Sequence, residues 1–310
     1  MGIHHLITGS YTKTNLYLLA FDTIARTLTL NSTVPAFGLH HSGGSGARIN
    51  AVDTDGGLGE QTVEMFYVPE EEIVNVDKTR NAVLYGAHSF DVNVNNKGFV
   101  AHLAWNAIFM YDIAENGTGA LLSVNLSPEI GDGPRNAFPS VDGKWLYVMT
   151  EHSQHLDVYE IGETRLTHRQ RASAIPDEMR GKHTYRGNTA RLSRDGKYIF
   201  TSTRGWNSTE ANGWVGAFAL RENGTLQSEE ALTYYEAPLT LGSAGGLRVA
   251  FWEDETNAGA YGVTDYMYLS DTQEGYMYIL GWTPSNHTIS QVAALQYPDG
   301  ASPYEAAWLD

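Results

Sequence analysis

The chain has 310 residues, 42% of them hydrophobic, with 32 glycines, 18 tyrosines, no cysteine and a formal net charge of −16. The missing cysteines exclude disulfides, thiolate metal sites and cysteine nucleophiles, and the acidic balance argues against nucleic acid as a partner. No apolar run approaches the ~20 residues of a membrane helix, so no membrane partner is expected. In chain order, three short strands are expected at residues 4–11, 16–21 and 27–34. The stretch 35–80 is irregular: the glycine-rich patch Ser42-Gly-Gly-Ser-Gly46 precedes two strand-like segments, 63–68 and 73–76, and reads as one reduced blade. Four groups of four strands follow: 87–92, 97–104, 107–113 and 119–126; 134–140, 144–151, 156–161 and 165–173; 189–193, 197–204, 214–220 and 226–233; 247–252, 266–271, 276–282 and 289–295. A single strand at 305–309 ends the series.

Four short antiparallel strands recurring every ~45–55 residues are the pattern of propeller blades. The expected fold is therefore all-β, a β-propeller of four-stranded antiparallel blades. Joining the three N-terminal strands to the C-terminal one completes a blade and removes free sheet edges, giving six blades in one domain over residues 1–310.

The repeat is visible in the residues. Ser140-Val-Asp-Gly-Lys-Trp-Leu-Tyr147 and Ser193-Arg-Asp-Gly-Lys-Tyr-Ile-Phe200 share one pattern, and Val94-Asn-Asn-Lys-Gly-Phe-Val100 is a degenerate copy. Asp-Gly and Asn-Asn between apolar runs mark hairpin turns, because these residues tolerate positive φ. Eight residues before the turn residues Asn96, Gly143 and Gly196 lie His88, Arg135 and Asn188; eight after lie Ala104, Glu151 and Arg204. Positions equidistant from a hairpin turn are cross-strand neighbours. Since the first strand of a blade lines the central channel, His88, Arg135, Glu151 and Arg204 are expected to gather at one channel mouth.

Their chemistry is coherent. Two arginines can each clamp a carboxylate, which is how a strongly acidic protein would hold an anion. A carboxylate beside Arg135 suits a base or orienting group, leaving His88 as proton donor or shuttle. The competing reading is structural: Arg135 and Glu151 as an ordinary ion pair, among strand-end polar residues that are usually solvated. Other motifs are weaker. His152-Ser-Gln-His155 has no carboxylate nearby, Gly44-Ser-Gly-Ala lacks the nucleophile-elbow pattern, and no phosphate loop or dinucleotide fingerprint is present. The segment Met1-Gly2-Ile3-His4-His5 lacks the features of a secretion signal, so a cytoplasmic location is expected. Six Asn-x-Ser/Thr sequons, at Asn31, Asn116, Asn125, Asn207, Asn223 and Asn286, leave a secreted alternative.

At these residues the sequence resembles the fungal-type 3-carboxy-cis,cis-muconate lactonizing enzymes (carboxymuconate cyclases), within the lactonase group of seven-bladed propellers. The resemblance lies in His4-His-Leu-Ile-Thr-Gly9, Gly133-Pro-Arg135, Asp142-Gly-Lys-Trp-Leu-Tyr147, Tyr185-Arg186, Gly196-Lys-Tyr-Ile-Phe-Thr-Ser-Thr-Arg204, Asp271-Thr-Gln-Glu-Gly275 and Ala307-Trp-Leu-Asp310. It covers the first blade and the chain from about Tyr85 onward. Between Val34 and Asn81 the chain is shorter than the family by about a blade, although residues 41–55 still resemble the start of the family's third blade, with Arg48 in a matching place. The resemblance implies that His88 and Glu151 are catalytic, that Arg135 and Arg204, with Arg48, bind substrate carboxylates, and that the reaction needs no cofactor. It implies a cyclase acting on a small anionic polycarboxylate. The alternatives are a lactone hydrolase, a secondary-metabolite cyclase, or a secreted propeller that kept the scaffold without the activity.

Overall fold

The computed structural model describes residues 2–10, 12–13, 15–35, 48–51, 61–64, 87–103, 105–206, 211–240, 246–253 and 262–309; at 48–51, 61–64 and 304 the description is of the backbone. The repeated turn explains much of the fold. Ser140 Oγ donates to Asp142 Oδ1 and accepts from Trp145 N, and Asp142 Oδ1 accepts from Lys144 N, while Gly143 takes φ of 70°. Ser193, Asp195, Lys197 and Tyr198 make the same bonds around Gly196, also at φ 70°. In the degenerate copy the Asn93 side chain accepts from Asn95 N and Lys97 N, and Asn96 takes the left-handed position at φ 55°. The Ser/Asn and Asp side chains thus satisfy backbone donors that the tight turn would otherwise leave open.

The chain divides into two compact units, Ser42–Arg171 and the combination of Met1–His41 with Ala172–Asp310. The first holds the short pair β4 (Arg48–Ala51) and β5 (Gln61–Glu64), and two four-stranded antiparallel sheets. One sheet is β6 (Ala87–Val92), β7 (Lys97–His102), β8 (Ala107–Ile113) and β9 (Gly119–Leu126); the other is β10 (Pro134–Pro139), β11 (Trp145–Thr150), β12 (His155–Ile161) and β13 (Leu166–Ser173). Each is a simple meander in sequence order. Their middle strands read as continuous apolar runs because both faces are covered: Phe99, Ala101, Ile108 and Met110 pack against Ala137, Leu146, Val148 and Tyr159.

The second unit holds three such sheets. One comprises β14 (Tyr185–Leu192), β15 (Tyr198–Gly205), β16 (Trp214–Ala219) and β17 (Thr233–Glu236), and the next β18 (Leu247–Val249), β19 (Asp265–Asp271), β20 (Tyr276–Thr283) and β21 (Thr288–Gln296). The third is β1 (Ile3–Ser10), β2 (Asn15–Asp22) and β3 (Thr27–Pro35), with β22 (Pro303–Trp308) added on the far side of β1. The terminal strand therefore completes the N-terminal blade, with Leu6 opposite Trp308 and Thr8 opposite Ala306. It is further anchored by the Tyr268 hydroxyl, which donates to Ala306 O (2.7 Å) and accepts from Ala306 N (2.9 Å). Within each unit the first strands of successive sheets touch: β6 with β10, β14 with β18, and β18 with β22.

Four sequence expectations need correction. The strand expected at 189–193 begins earlier, at Tyr185, and so includes Arg186. The strand expected at 226–233 is displaced: Leu226 makes only a bridge to Leu220, Gln227 N donates to Ala219 O, and pairing resumes with Leu232 N on Ala217 O. The exposed polar run Ser228-Glu229-Glu230 loops out between them, so β17 starts at Thr233. The strand expected at 247–252 ends at Val249. In the reduced region, β4 and β5 pair as a hairpin-like couple with Arg48 opposite Glu64, while the segment expected at 73–76 lies outside the described residues. The Asn125 sequon is also a packing element, since its amide donates to Ile108 O and Ser123 Oγ and accepts from Leu166 N.

Candidate active site

The candidates His88 and Arg135, and Asn188 at the equivalent place in β14, each occupy a β-bulge. In β6, Ala87 pairs with His102 and Ser89 with Ala101, so His88 is the extra residue. In β10, Pro134 pairs with Thr150 and Asn136 with Met149, which makes Arg135 extra; in β14, Gly187 pairs with Thr203 and Thr189 with Ser202, which makes Asn188 extra. A bulge sets two residues against one, bends the strand and re-aims a side chain. Counting outward from the turn is therefore off by two beyond the bulge in β14–β15. The true partner of Arg204 across the ladder is Arg186, not Asn188.

In the unit Ser42–Arg171, Arg135 and Glu151 are brought together: Arg135 Nε donates to Glu151 Oε2 at 3.1 Å, with both side chains more than nine-tenths buried. The competing reading, solvated polar residues at strand ends, does not describe this pair. The segment leading into Arg135 is held on several sides. Glu151 N donates to Gly133 O (2.7 Å) and His152 N to Asp132 O (3.0 Å). Asn106, itself at φ 52°, accepts from Gly133 N with its side-chain oxygen and donates its amide to Glu129 O. Gly133 has φ of 65°, and a Cβ there would come within 2.9 Å of the His152 ring, so glycine is required by both backbone and packing.

Behind this segment, Arg171 bridges two buried acids. It binds Asp157 through Nε and Nη2 (2.6 and 2.7 Å) and Asp132 through Nη2 (2.6 Å). Burial pushes the Asp157 carboxyl up, but hydrogen bonds from Arg171 and His168 outweigh it and hold the group below its ordinary range. Asp132 immediately precedes Gly133, so this network fixes the approach to the bulge.

His88 lies in the same unit and is exposed. Its neighbour Ser89 accepts from Ala137 N with its hydroxyl oxygen (3.0 Å), a bond that ties β6 to β10 two residues beyond Arg135. His102, opposite Ala87, is buried against Phe109 and accepts from Trp105 N; burial lowers its pKa to about 4, so it is neutral. Arg48 lies on β4, and its side chain lies outside the described residues.

Arg204 belongs to the other unit. It is buried, and its Nη1 donates to Asn188 Oδ1 at 2.5 Å. Directly across the ladder Arg186 is also buried, with its guanidinium carbon 4.3 Å from the centroid of the Trp206 ring. Arg186, Asn188 and Trp206 were not chosen as candidates from the sequence. Asn188 stood in the counted set but carries no charge, and Arg186 is hidden by the bulge. Asp132, Asp157 and Arg171 gave no local motif. Among the described residues no three histidine or acidic side chains cluster as metal ligands would.

A family described as "Lactonase, 7-bladed beta-propeller" matches residues 38–242, more than half of the chain. Muconate cycloisomerase 1 of Cutaneotrichosporon cutaneum is 28% identical over 267 residues, covering 83% of this chain and 69% of that protein. Carboxy-cis,cis-muconate cyclase of Neurospora crassa is 25% identical over 250 residues, and the match spans 78% of this chain but 64%, less than two thirds, of its own length. Among solved structures, a periplasmic gluconolactonase of Pseudomonas aeruginosa superposes with a TM-score of 0.67 over 99% of both chains at 15% identity, a likeness of fold.

Proposed function

The chain belongs to the lactonase family of seven-bladed β-propellers, and from that membership we propose that it is a cofactor-free cyclase that forms a lactone from 3-carboxy-cis,cis-muconate or a similar unsaturated polycarboxylate. Two relatives named for muconate chemistry support the direction of the reaction. The observation that carries the reading is the Arg135–Glu151 pair, buried at 3.1 Å on a bulge whose approach is braced by Asp132, Arg171 and Asn106. An ordinary surface ion pair needs no such support.

In this reading a carboxylate oxygen of the substrate bonds to one carbon of a conjugated double bond. The π electrons move to the adjacent carbon, which takes a proton, so one proton is consumed per turnover and no electrons leave. In the unit Ser42–Arg171, Arg135 holds a carboxylate and aligns the attack, with Arg48 as a further contributor; Arg204, in the other unit, is proposed as a carboxylate holder in its own right. His88 delivers the proton from its exposed position, and Glu151 orients Arg135 and serves as the acid–base partner. A lactone hydrolase is the second reading, favoured by the family's description.

The test is ultraviolet loss of the conjugated diene on adding 3-carboxy-cis,cis-muconate, run beside acid release from the matching lactone. Diene loss that slows ~10²–10⁴-fold in His88→Ala, with KM largely kept, is the expected result. Acid release alone would replace the cyclase reading with the hydrolase, and neither signal would end both.

A further inference from the structure

We infer that this chain carries N-linked glycans on Asn31, Asn116, Asn223 and Asn286 and none on Asn125; the inference stands apart from the cyclase reading. The sequons are not scattered through the fold. With strands counted from β22, β6, β14 and β18, every described sequon begins on a fourth strand or in the turn that leads to it. Asn31 lies on β3, Asn116 between β8 and β9, Asn125 on β9, Asn223 between β16 and β17, and Asn286 between β20 and β21. Among the described residues, no asparagine on the first three strands or in the loops joining them begins a sequon. Asn207 lies outside the described residues.

Turn chemistry alone does not account for this pattern. Asn116, Asn223 and Asn286 each precede a residue at positive φ: Gly117 at 81°, Gly224 at 86° and His287 at 54°. Asn116 Oδ1 accepts from Thr118 N (3.1 Å) and Asn223 Oδ1 from Thr225 N (3.2 Å). The turns between first and second strands are built the same way, with Asp142 and Asp195 accepting from Lys144 N and Lys197 N around Gly143 and Gly196. An aspartate oxygen and a following lysine therefore serve such a turn. Before the fourth strands the same places hold Asn and Thr, which adds an amide nitrogen and a hydroxyl at the spacing of a glycan acceptor. Asn31 is the extra residue of a bulge in β3, since Leu18 pairs with Ser32 and Leu19 with Leu30. All four side chains are exposed, and β3, β9, β17 and β21 each end their sheet, so a sugar there meets no further strand of that sheet. Asn125 differs: its amide donates to Ile108 O and Ser123 Oγ, both at 3.1 Å, and its oxygen accepts from Leu166 N (2.9 Å). A sugar on that nitrogen would remove one of the donated bonds, so the folded protein carries none there. In the transfer, the amide nitrogen attacks the anomeric carbon of an oligosaccharide held on a lipid diphosphate. A C–N bond forms, the C–O bond to the diphosphate breaks, the amide gives up one proton and nothing is oxidised. That donor is met on the lumenal side of a secretory membrane, so the modified chain is secretory rather than cytoplasmic.

The experiment uses the whole protein recovered from its own organism. Its peptides are treated, in heavy-oxygen water, with an amidase that cleaves the glycan–asparagine bond. Each occupied asparagine becomes a heavy aspartate, read by mass spectrometry. Label at Asn31, Asn116, Asn223 and Asn286, with Asn125 unlabelled, is the expected result. Label at fewer than three of the four, or label at Asn125, would overturn the assignment. Asn116→Asp, expressed in the same organism, keeps the turn's acceptor oxygen and removes the acceptor nitrogen. It should lose one glycan from the intact mass with Tm unchanged, and a variant that kept the full glycan mass would count against the site. Glycans on a protein that does not turn over 3-carboxy-cis,cis-muconate would sink the cyclase alone, and turnover by an unmodified chain would sink the glycan assignment alone.

Discussion

The hairpins β10–β11 and β14–β15 share a turn, a ladder and a bulge, yet they end in different sets of side chains. In the first, an arginine on the bulge meets a glutamate on the second strand. In the second, an amide on the bulge meets an arginine, and another arginine replaces the glycine that leads into the bulge. The backbone device is therefore indifferent to charge: it delivers two or three side chains to one end of a blade, whatever they are. One hairpin joins opposite charges at this end, whereas the other joins a charge to an amide. Repeats of this kind let chemistry vary at fixed coordinates without disturbing the strands beneath.

The comparison is broken most directly by removing one charge from each hairpin. Glu151→Ala leaves Arg135 buried without its carboxylate and should cost about 3–5 kcal/mol in denaturant unfolding. Arg204→Met removes one of two neighbouring like charges and should cost clearly less. Equal losses would show that the two hairpins are not electrostatically different.

Acid should sharpen the contrast by acting on the unit that contains His102. Its pKa in the fold is about 4 against the ordinary 6.5, so the unfolded chain binds the extra proton first. Stability is unaffected above pH 6.5 and is lost as pH falls from there to about 4, by about 3 kcal/mol in all. Asp157, held below its ordinary range, contributes stability that is lost only at still lower pH. Urea melts from pH 8 to 4 on the wild type and His102→Gln check this; the variant should show a flatter profile between 6.5 and 4.

The smallest effect concerns the glycine that distinguishes the two hairpins. Gly133→Ala meets positive φ and a ring 2.9 Å away, and should cost about 1–3 kcal/mol and lower turnover by shifting Arg135. Gly181→Ala, also at positive φ but with nothing within 4 Å, is the control: it should cost less and leave kinetics alone.

Much of this was legible in the residues. The Ser-x-Asp-Gly-Lys turns announced the hairpins because their side chains satisfy the turn's own donors, and the apolar runs marked strands covered on both faces. The pairing of Arg135 with Glu151 followed from counting along those strands. What escaped was register. A bulge has no signature when its extra residue is a histidine, an arginine or an asparagine, so Arg186 was missed as the partner of Arg204. The bracing role of Arg171 depends on residues from three separate segments, and β17 was misplaced because an acidic excursion interrupts an otherwise strand-like run.

The pairing of β22 with β1 also sets an order of events. Leu6 faces Trp308, so the N-terminal sheet cannot be finished until nearly the whole chain has left the ribosome, about 15–60 s after its first strand at ordinary synthesis rates of about 5–20 residues per second. During that interval β1 presents an unpaired edge and Leu6 lacks the cover of Trp308. Contacts so distant in sequence also make for slow completion of this sheet in refolding. A nascent chain of this protein is thus exposed to strand capture by its neighbours until β22 is available, and the six residues of that strand decide when the exposure ends.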